Sequence, residues 1–215
     1  MPARFVTTCL TACLTLLAGA AAANTVGFEV LVNTAPLVGN AAGPFALDFQ
    51  LNGSGPNTVV VSNFNFGGGA AAGTAVASNG AAGTLGTAVT LSDSSSFFNE
   101  LYQPFTPGST LSFFVSMTTT VTPTPDAFSF AILDGSLFNI PTTGLGDSLL
   151  LVNITRSTLT ASDIETFSGV NPPGGPNYSN VTVLALPEPA AILQLSVGLA
   201  AFTIGRFLRS SSSQM

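Results

Sequence analysis

Residues 45–51 read FALDFQL, and this short stretch decides the fold expected of the chain. Its large apolar side chains recur at every second position, at Phe45, Leu47, Phe49 and Leu51. Because successive side chains of an extended chain point to opposite faces, these four residues share one face. The stretch therefore predicts a β-strand with one face turned into a hydrophobic core.

Similar alternation recurs along the interior of the chain, in runs bounded by Gly, Pro, Asn or Asp. The further candidate strands are residues 26–32, 58–66, 87–91, 110–121, 127–133, 148–154 and 181–186. In the run after Asp126, Phe128, Phe130 and Ile132 share one face and small residues take the other. Eight or more strands at this spacing predict a mainly β protein with a single antiparallel β-sandwich, jelly-roll-like in form.

Four other segments break this pattern. Residues 67–86 are rich in Gly and Ala, which indicates a flexible surface loop or an edge strand of small residues. Residues 97–103, after three serines and before Pro104, predict one helical turn, and residues 161–167 predict a second. Residues 171–177 hold three Pro and two Gly and predict a loop before the last strand.

The charge of the interior is strongly acidic. Residues 24–186 contain one base, Arg156, against nine acids, a net charge of −8. The acids are Glu29, Asp48, Asp93, Glu100, Asp126, Asp134, Asp147, Asp163 and Glu165. Binding to a phosphate backbone needs several Lys or Arg contacts, so nucleic acid is excluded as a partner.

The first 23 residues have the features of a signal peptide. Arg4 precedes an apolar region over residues 5–17, and the small residues 18–23 offer A-x-A cleavage sites before Asn24. An alternative is a lipoprotein signal, since residues 10–13 (LTAC) resemble a lipobox, but the apolar run continues past Cys13. Signal-peptide cleavage would remove both cysteines, Cys9 and Cys13, and the chain has no His. Disulfides, thiolate sites and His-ligated metals are then excluded.

The last 29 residues carry a second targeting pattern. Pro187-Glu188-Pro189 is followed by an apolar run over residues 190–205 and then by Arg206 and Arg209. As a helix this run is roughly 24 Å long, and extension to about residue 208 approaches the roughly 30 Å of a bilayer core. A transmembrane helix over residues 190–208 is therefore predicted, with the two arginines of the basic tail on the cytoplasmic side.

This order of motif, apolar helix and basic tail resembles the PEP-CTERM sorting signal of bacterial exported proteins. The resemblance implies that residues 187–215 are recognised by an exosortase in the membrane, with Pro187, Glu188 and Pro189 as the sorting motif. Arg206 and Arg209 are more widely spaced than a dense basic cluster. The interior, with FALDFQLN, SNFNFGGG and PTPDAFSFAILD, is similar to a recurrent PEP-CTERM-associated family with no assigned activity, which implies nothing about mechanism.

Catalytic motifs are scarce in the interior. The chain contains no His and no Lys, and no G-x-S-x-G elbow, so Ser-His-acid chemistry has no base. Paired carboxylates remain the formal alternative, with Asp126 and Asp134 flanking one predicted strand and Asp48 and Glu100 elsewhere. Asp134-Gly135 is also a turn signal, and Asp163 is placed to cap a helical turn. We expect a protein that is not an enzyme.

Two kinds of ligand are compatible with the remaining residues. Structural calcium would suit carboxylates and loop carbonyls, but no D-x-D-x-D-G loop occurs and the acids are scattered, so no metal residues are assigned and no cofactor is predicted. A sugar-binding surface needs exposed aromatic rings. Trp is absent, Tyr102 and Tyr178 are the only tyrosines, and most Phe fall on strand faces where burial is expected.

These features together predict a signal peptide at residues 1–23, an extracellular β-sandwich at 24–186 and a sorting segment at 187–215. The predicted protein is exported across the inner membrane, held there at least transiently, and then located at the cell surface or outside the cell. Its expected role is non-catalytic, as a structural or interaction protein of the envelope, extracellular matrix or biofilm. The alternative is a carbohydrate-binding module associated with extracellular polysaccharide.

Overall fold

The computed structural model describes residues 25–187, which form thirteen β-strands and three short 3-10 turns. The 3-10 turns are Ala35–Leu37, Leu145–Asp147 and Ala161–Asp163. The strands are β1 Thr25–Asn33, β2 Phe45–Asn52, β3 Thr58–Asn65, β4 Ala70–Ala71, β5 Val76–Ser78, β6 Ala81–Gly83, β7 Ala88–Ser92, β8 Phe98–Thr106, β9 Thr110–Thr118, β10 Asp126–Leu133, β11 Leu150–Ile154, β12 Ile164–Thr166 and β13 Val183–Pro187. The mainly β prediction is confirmed.

The strands form two sheets in which every pairing is antiparallel. Sheet A has the order β13-β1-β9-β3-β7-β6. Sheet B has the order β12-β11-β10-β2-β8-β4, and β5 also pairs with β8. The eight strands expected from the alternating runs are all present, with boundaries that differ by up to three residues from the predicted ones.

Strand β2, which contains FALDFQL, lies inside sheet B between β10 and β8. Its residue Phe49 stands opposite Phe130 of β10 and Leu101 of β8. Phe45, Leu47, Phe49 and Leu51 are all buried, as the alternation predicts. Antiparallel sheets with one face in a core show this pattern because the pleat sends alternate side chains to opposite faces.

Three phenylalanine rings join the two sheets at the centre of the core. Phe113 of β9 in sheet A lies 5.5 Å from Phe49 and 5.1 Å from Phe130, both in sheet B, measured between ring centroids. Phe49 and Phe130 stack at 5.2 Å. Such pairs contribute about 0.5–1.5 kcal/mol each beyond the apolar area they bury. The inner faces of the two sheets therefore pack directly on each other.

The Gly- and Ala-rich residues 67–86 form the small-residue edge strands that were one of the two expected outcomes. Strands β4 and β5 pair with β8 of sheet B, and β6 pairs with β7 of sheet A. This segment thus passes from one sheet to the other along the edge where β7 and β8 lie. Its small side chains suit short edge strands that cover little core.

The helical turn predicted at residues 97–103 is wrong, because Phe98–Thr106 is strand β8. Its buried positions include two polar residues, Asn99 and Gln103, which interrupt the apolar alternation that identifies a strand. Both side chains form hydrogen bonds in the interior. Asn99 Nδ2 donates to the Leu51 carbonyl at 3.1 Å, and Gln103 Oε1 accepts from the Leu85 amide at 2.8 Å.

The second predicted helical turn, at residues 161–167, is correct only for its first half. Residues Ala161–Asp163 form a 3-10 turn, after which Ile164–Thr166 is strand β12. Strand β12 pairs with β11, so the hydrogen bonds of the sheet edge replace those of a helix. The loop predicted at residues 171–177 is confirmed.

One end of the two sheets, here called the basal end, holds both ends of the described chain. Thr25 pairs with Thr118, and Pro187 pairs with Phe28 three residues further along β1. The loop of residues 53–57 between β2 and β3 lies at this same end, because Thr58 also pairs near Thr118. Residues 93–97 and 119–125 complete it, since they connect strands that end or begin there.

Candidate functional site

Most of the predicted sorting segment falls outside the described residues. Pro187 is the last residue of β13, one position beyond the predicted final strand, and pairs with Phe28. Glu188, Pro189, Arg206 and Arg209, together with the signal peptide at 1–23 and the helix at 190–208, lie outside residues 25–187. Within residues 25–187, no helix is long and apolar enough to cross a membrane.

Asp126 and Asp134, which flank β10, do not form a carboxylate pair. They lie at opposite ends of an eight-residue strand, a separation of more than 20 Å at about 3.3 Å per residue. Asp134 closes the turn predicted from Asp134-Gly135: its Oδ1 accepts from the amides of Ser136 at 2.8 Å and Phe138 at 3.1 Å. The turn interpretation of Asp134 is confirmed.

Asp163 caps the 3-10 turn, as its position predicts. Its carboxylate accepts from the Thr160 hydroxyl at 2.7 Å and the Thr160 amide at 2.8 Å, and Arg156 Nε lies 3.2 Å from its Oδ1. The Thr160 hydrogen bonds, with a smaller contribution from Arg156, lower the pKa of Asp163. Asp163 and Arg156 therefore stabilise a local turn.

Asp48 and Glu100 are brought together on the outer face of sheet B. Gln50 lies between them, and its Nε2 donates to Asp48 Oδ2 at 2.7 Å and to Glu100 Oε1 at 3.2 Å. In the strand register, Gln50 stands opposite Glu100 and Asp48 stands opposite Tyr102. We call Asp48, Gln50 and Glu100 the sheet-face cluster.

The electrostatics of the sheet-face cluster are set by burial. Only 2% of Asp48 is exposed, and its Oδ1 is buried without a hydrogen-bond partner. Burial, with repulsion from Glu100, raises the pKa of Asp48 to about 7, although the Gln50 hydrogen bond lowers it. Shifted carboxyl groups mark candidate acid catalysts. A general acid must reach its substrate, however, and Asp48 is covered.

A second pair of carboxylates, Asp93 and Asp126, meets at the basal end. Asp93 follows β7 of sheet A and Asp126 begins β10 of sheet B, so the pair links the two sheets. Asn57 holds both: its amide donates to Asp93 Oδ1 at 2.7 Å, and its Nδ2 donates to Asp126 Oδ2 at 2.5 Å. We call Asp93, Asp126 and Asn57 the basal cluster.

Burial also raises the pKa of Asp93, to about 6. The hydrogen bond from the Asn57 amide opposes this shift, and so more weakly does the amide of Gly55, whereas Asp126 increases it. Asp93 is 3% exposed and Asp126 is 1% exposed. Two buried acids that face each other are thus a site of high negative potential at the basal end.

Little in the sequence indicates the basal cluster. Asp93 lies in a serine-rich segment with no other acid nearby in sequence. For Asp126, the sequence suggests Asp134 as the partner, because the two flank one predicted strand. The one local signal is GSGPN at residues 53–57, whose glycines permit the close approach of both carboxylates. Among residues 25–187, no three His, Cys, Asp or Glu side chains gather as a metal-binding group, so any metal here would need other oxygen ligands as well.

Among residues 25–187, exposed aromatic rings are few. Tyr178 is buried in the core. Phe138, in the connection between β10 and β11, is 71% exposed, and Phe97 and Phe98 are exposed at the basal end. These three rings are the surfaces on which a sugar could stack.

No protein-family model matches the chain, and neither a curated protein nor a solved structure matches it. Its function is therefore inferred from the sequence pattern and from the geometry of the described residues.

Proposed function

We propose that the chain is an exported, exosortase-sorted protein of the cell envelope or extracellular matrix, with a non-catalytic structural or interaction role. The observation that carries the proposal is the shared location of Thr25 and Pro187 at the basal end. Residue 25 is the second residue after the predicted signal peptide, and residue 187 opens the predicted sorting motif. This arrangement of the termini is compatible with a domain that is exported and held at a membrane through that end.

The pairing of β1 with β13 explains how such an attachment would be supported. Five registered pairs, from Phe28–Pro187 to Val32–Val183, hold the last strand against the first. The chain is thus held in sheet A as far as Pro187, and any cleavage or membrane anchoring would take place beyond this strand. The lack of a backbone donor at Pro187 and Pro189 favours an extended, unpaired strip beyond it.

The connectivity supports the jelly-roll form of the fold. Successive strands alternate between the sheets from β1 to β3 and again from β7 to β9, and β1 and β9 are neighbours in sheet A, as are β3 and β7. Strand β2 neighbours β8 in sheet B. This nesting of early strands against late ones is how two Greek keys interlock in a jelly roll.

The sorting part of the proposal is tested by changing the motif. In a host with an active exosortase, the triple variant Pro187→Ala, Glu188→Ala, Pro189→Ala is compared with the parent chain by membrane and medium fractionation. We expect the parent in the surface or medium fraction and the variant retained at full length in the membrane. Glu165→Gln, an exposed acid on β12, is the matched control and should follow the parent.

Two outcomes would contradict this proposal. If the triple variant is released as efficiently as the parent, residues 187–189 are not the sorting motif. If the parent itself remains in the membrane at full length, the tail is a permanent anchor and no processing occurs.

A carbohydrate-binding module is the second candidate, and the exposed Phe138 ring favours it. The jelly-roll form is shared with lectin domains, which is an analogy of fold alone. Retention of the full chain on a polysaccharide from the producing cell, lost in Phe138→Ala, is the expected result. Failure to bind any glycan in an array would remove this candidate.

A further inference from the structure

Asp126 of the basal cluster is held in place by several hydrogen bonds. Besides Asn57 Nδ2, the Ser54 amide donates to its Oδ1 at 3.1 Å, and the Thr122 hydroxyl lies 3.3 Å from the same oxygen. Asn57 is itself fixed, because its Oδ1 accepts from the Thr120 amide at 2.7 Å. Two loops at the basal end, residues 53–57 and 119–125, thus converge on one carboxylate.

Asp93 has an oxygen that nothing satisfies. Its Oδ1 accepts from the Asn57 amide, but its Oδ2 is buried and has no hydrogen-bond partner of normal geometry. A buried acceptor left unpaired destabilises the folded state, and more so when it is charged. Ionised carboxylates only accept hydrogen bonds, so Asp126 can satisfy Asp93 only when one of the two acids holds a proton.

The unpaired oxygen points toward Asp126. A Cβ placed on Gly53 would overlap both Asp93 Oδ2 and the carboxylate of Asp126. Oxygens from the two sheets therefore approach the same small space beside the backbone of Gly53. A larger residue at position 53 would fill that space.

No positive side chain compensates this pair. Arg156 is the one base within residues 25–187, and it binds Asp163. Buried charges are normally paired or coordinate a metal ion, because an isolated ion loses too much hydration. The compensation for Asp93 and Asp126 must therefore come from outside the protein's own side chains.

We propose that Asp93 and Asp126 bind a calcium ion at the basal end, with main-chain carbonyls of the adjoining loops and water completing its ligands. Calcium accepts six to eight oxygen ligands in flexible geometry, and carboxylates, carbonyls and water supply them. The described residues contain no His or Cys, which other common metals would favour. The ion would join β7 of sheet A to β10 of sheet B at the basal end. This inference does not depend on the sorting proposal.

The test is thermal unfolding of the purified full chain in chelator and in 10 mM calcium chloride at matched ionic strength. Extracellular calcium modules bind with dissociation constants of about 10⁻⁴–10⁻³ M. Calcium at this concentration should then raise the Tm by about 3–10 °C. Isothermal titration of calcium chloride into the same protein should give one site per chain.

Asp93→Asn and Asp126→Asn should each abolish most of this Tm shift. Both variants should fold in chelator, because each removes one of two facing charges. Glu29→Gln, an exposed acid on β1, is the control for loss of one negative charge and should keep the full shift.

A wild-type Tm unchanged by calcium would overturn the proposal, as would a full calcium shift in both Asn variants. A wild-type Tm that rises as the pH is lowered from 8 to 5 but does not change with calcium would also overturn it. If Asp93→Asn also reduces this rise, the two carboxylates share a proton instead of a cation.

Discussion

The sheet-face cluster and the basal cluster both bury facing acids without a positive side chain, but they differ in what lies between the acids. In the sheet-face cluster, the Gln50 amide donates to both Asp48 and Glu100. In the basal cluster, Asn57 donates to Asp93 through its main-chain amide and to Asp126 through Nδ2. Each cluster leaves one buried oxygen unpaired, Asp48 Oδ1 in the first and Asp93 Oδ2 in the second. The unpaired oxygen of Asp93 lies beside a second carboxylate, that of Asp126, and the calcium proposal rests on this difference.

The hydrophobic core beneath the sheet-face cluster should give the largest change in stability when it is altered. Phe49 lies on β2 between Asp48 and Gln50 but faces inward, against Phe113 and Phe130. Phe49→Ala should lower the free energy of unfolding by about 3–5 kcal/mol, because it leaves a cavity between the sheets. Denaturant unfolding measures this, and Phe138→Ala, at an exposed ring, should cost far less.

Asp48→Asn removes the buried charge from the sheet-face cluster and should change how the stability of the protein depends on pH. The pKa of Asp48 in the folded state is about 7, against an ordinary value of 3.8. Because the folded state holds this proton more tightly, its stabilisation is present at low pH and is lost as the pH rises from about 4 to 7. At 1.36 kcal/mol per unit, the loss is about 4 kcal/mol at most.

The measurement is the free energy of unfolding between pH 4 and pH 8, for the parent and Asp48→Asn in the same calcium concentration. The variant should be the more stable of the two at pH 8 and should show a shallower decline with pH. Equal slopes for the two proteins would show that Asp48 does not titrate as its burial implies.

Gln50→Leu should make the sheet-face cluster resemble the basal cluster. It keeps a similar volume but removes the amide, so Asp48 Oδ2 loses its hydrogen-bond partner and both oxygens of the carboxylate are then unpaired. We expect a loss of about 1–3 kcal/mol at pH 8. The loss should shrink below pH 5, where Asp48 is protonated; a loss independent of pH would show that Gln50 acts only through packing.

The two clusters also show what the sequence could predict. Strands such as β2 and β10 follow from a local alternation of side chains, which needs no knowledge of neighbours. Strand β8 was missed because Asn99 and Gln103 point inward, and their partners Leu51 and Leu85 are distant in sequence. Local pattern therefore identifies a strand only when its buried face is apolar throughout.

The carboxylate pairs depended on pairing and topology. Asp48 and Glu100 meet because β2 and β8 pair in one particular register. Asp93 and Asp126 meet because β7 and β10 end near each other in opposite sheets. The spacing of the acids along the sequence indicates neither contact. Asp48, Glu100 and Asp126 were therefore candidate carboxylates in the sequence analysis, but neither of the two pairs was predicted.

The most direct measurement of the proposed function is the intact mass of the parent chain recovered from cells that carry an exosortase. The proposal predicts a surface or extracellular protein that has lost residues 1–23 and the segment beyond the Pro187-Glu188-Pro189 motif. An unprocessed chain running from Met1 to Met215 and recovered from the cytosol would contradict it.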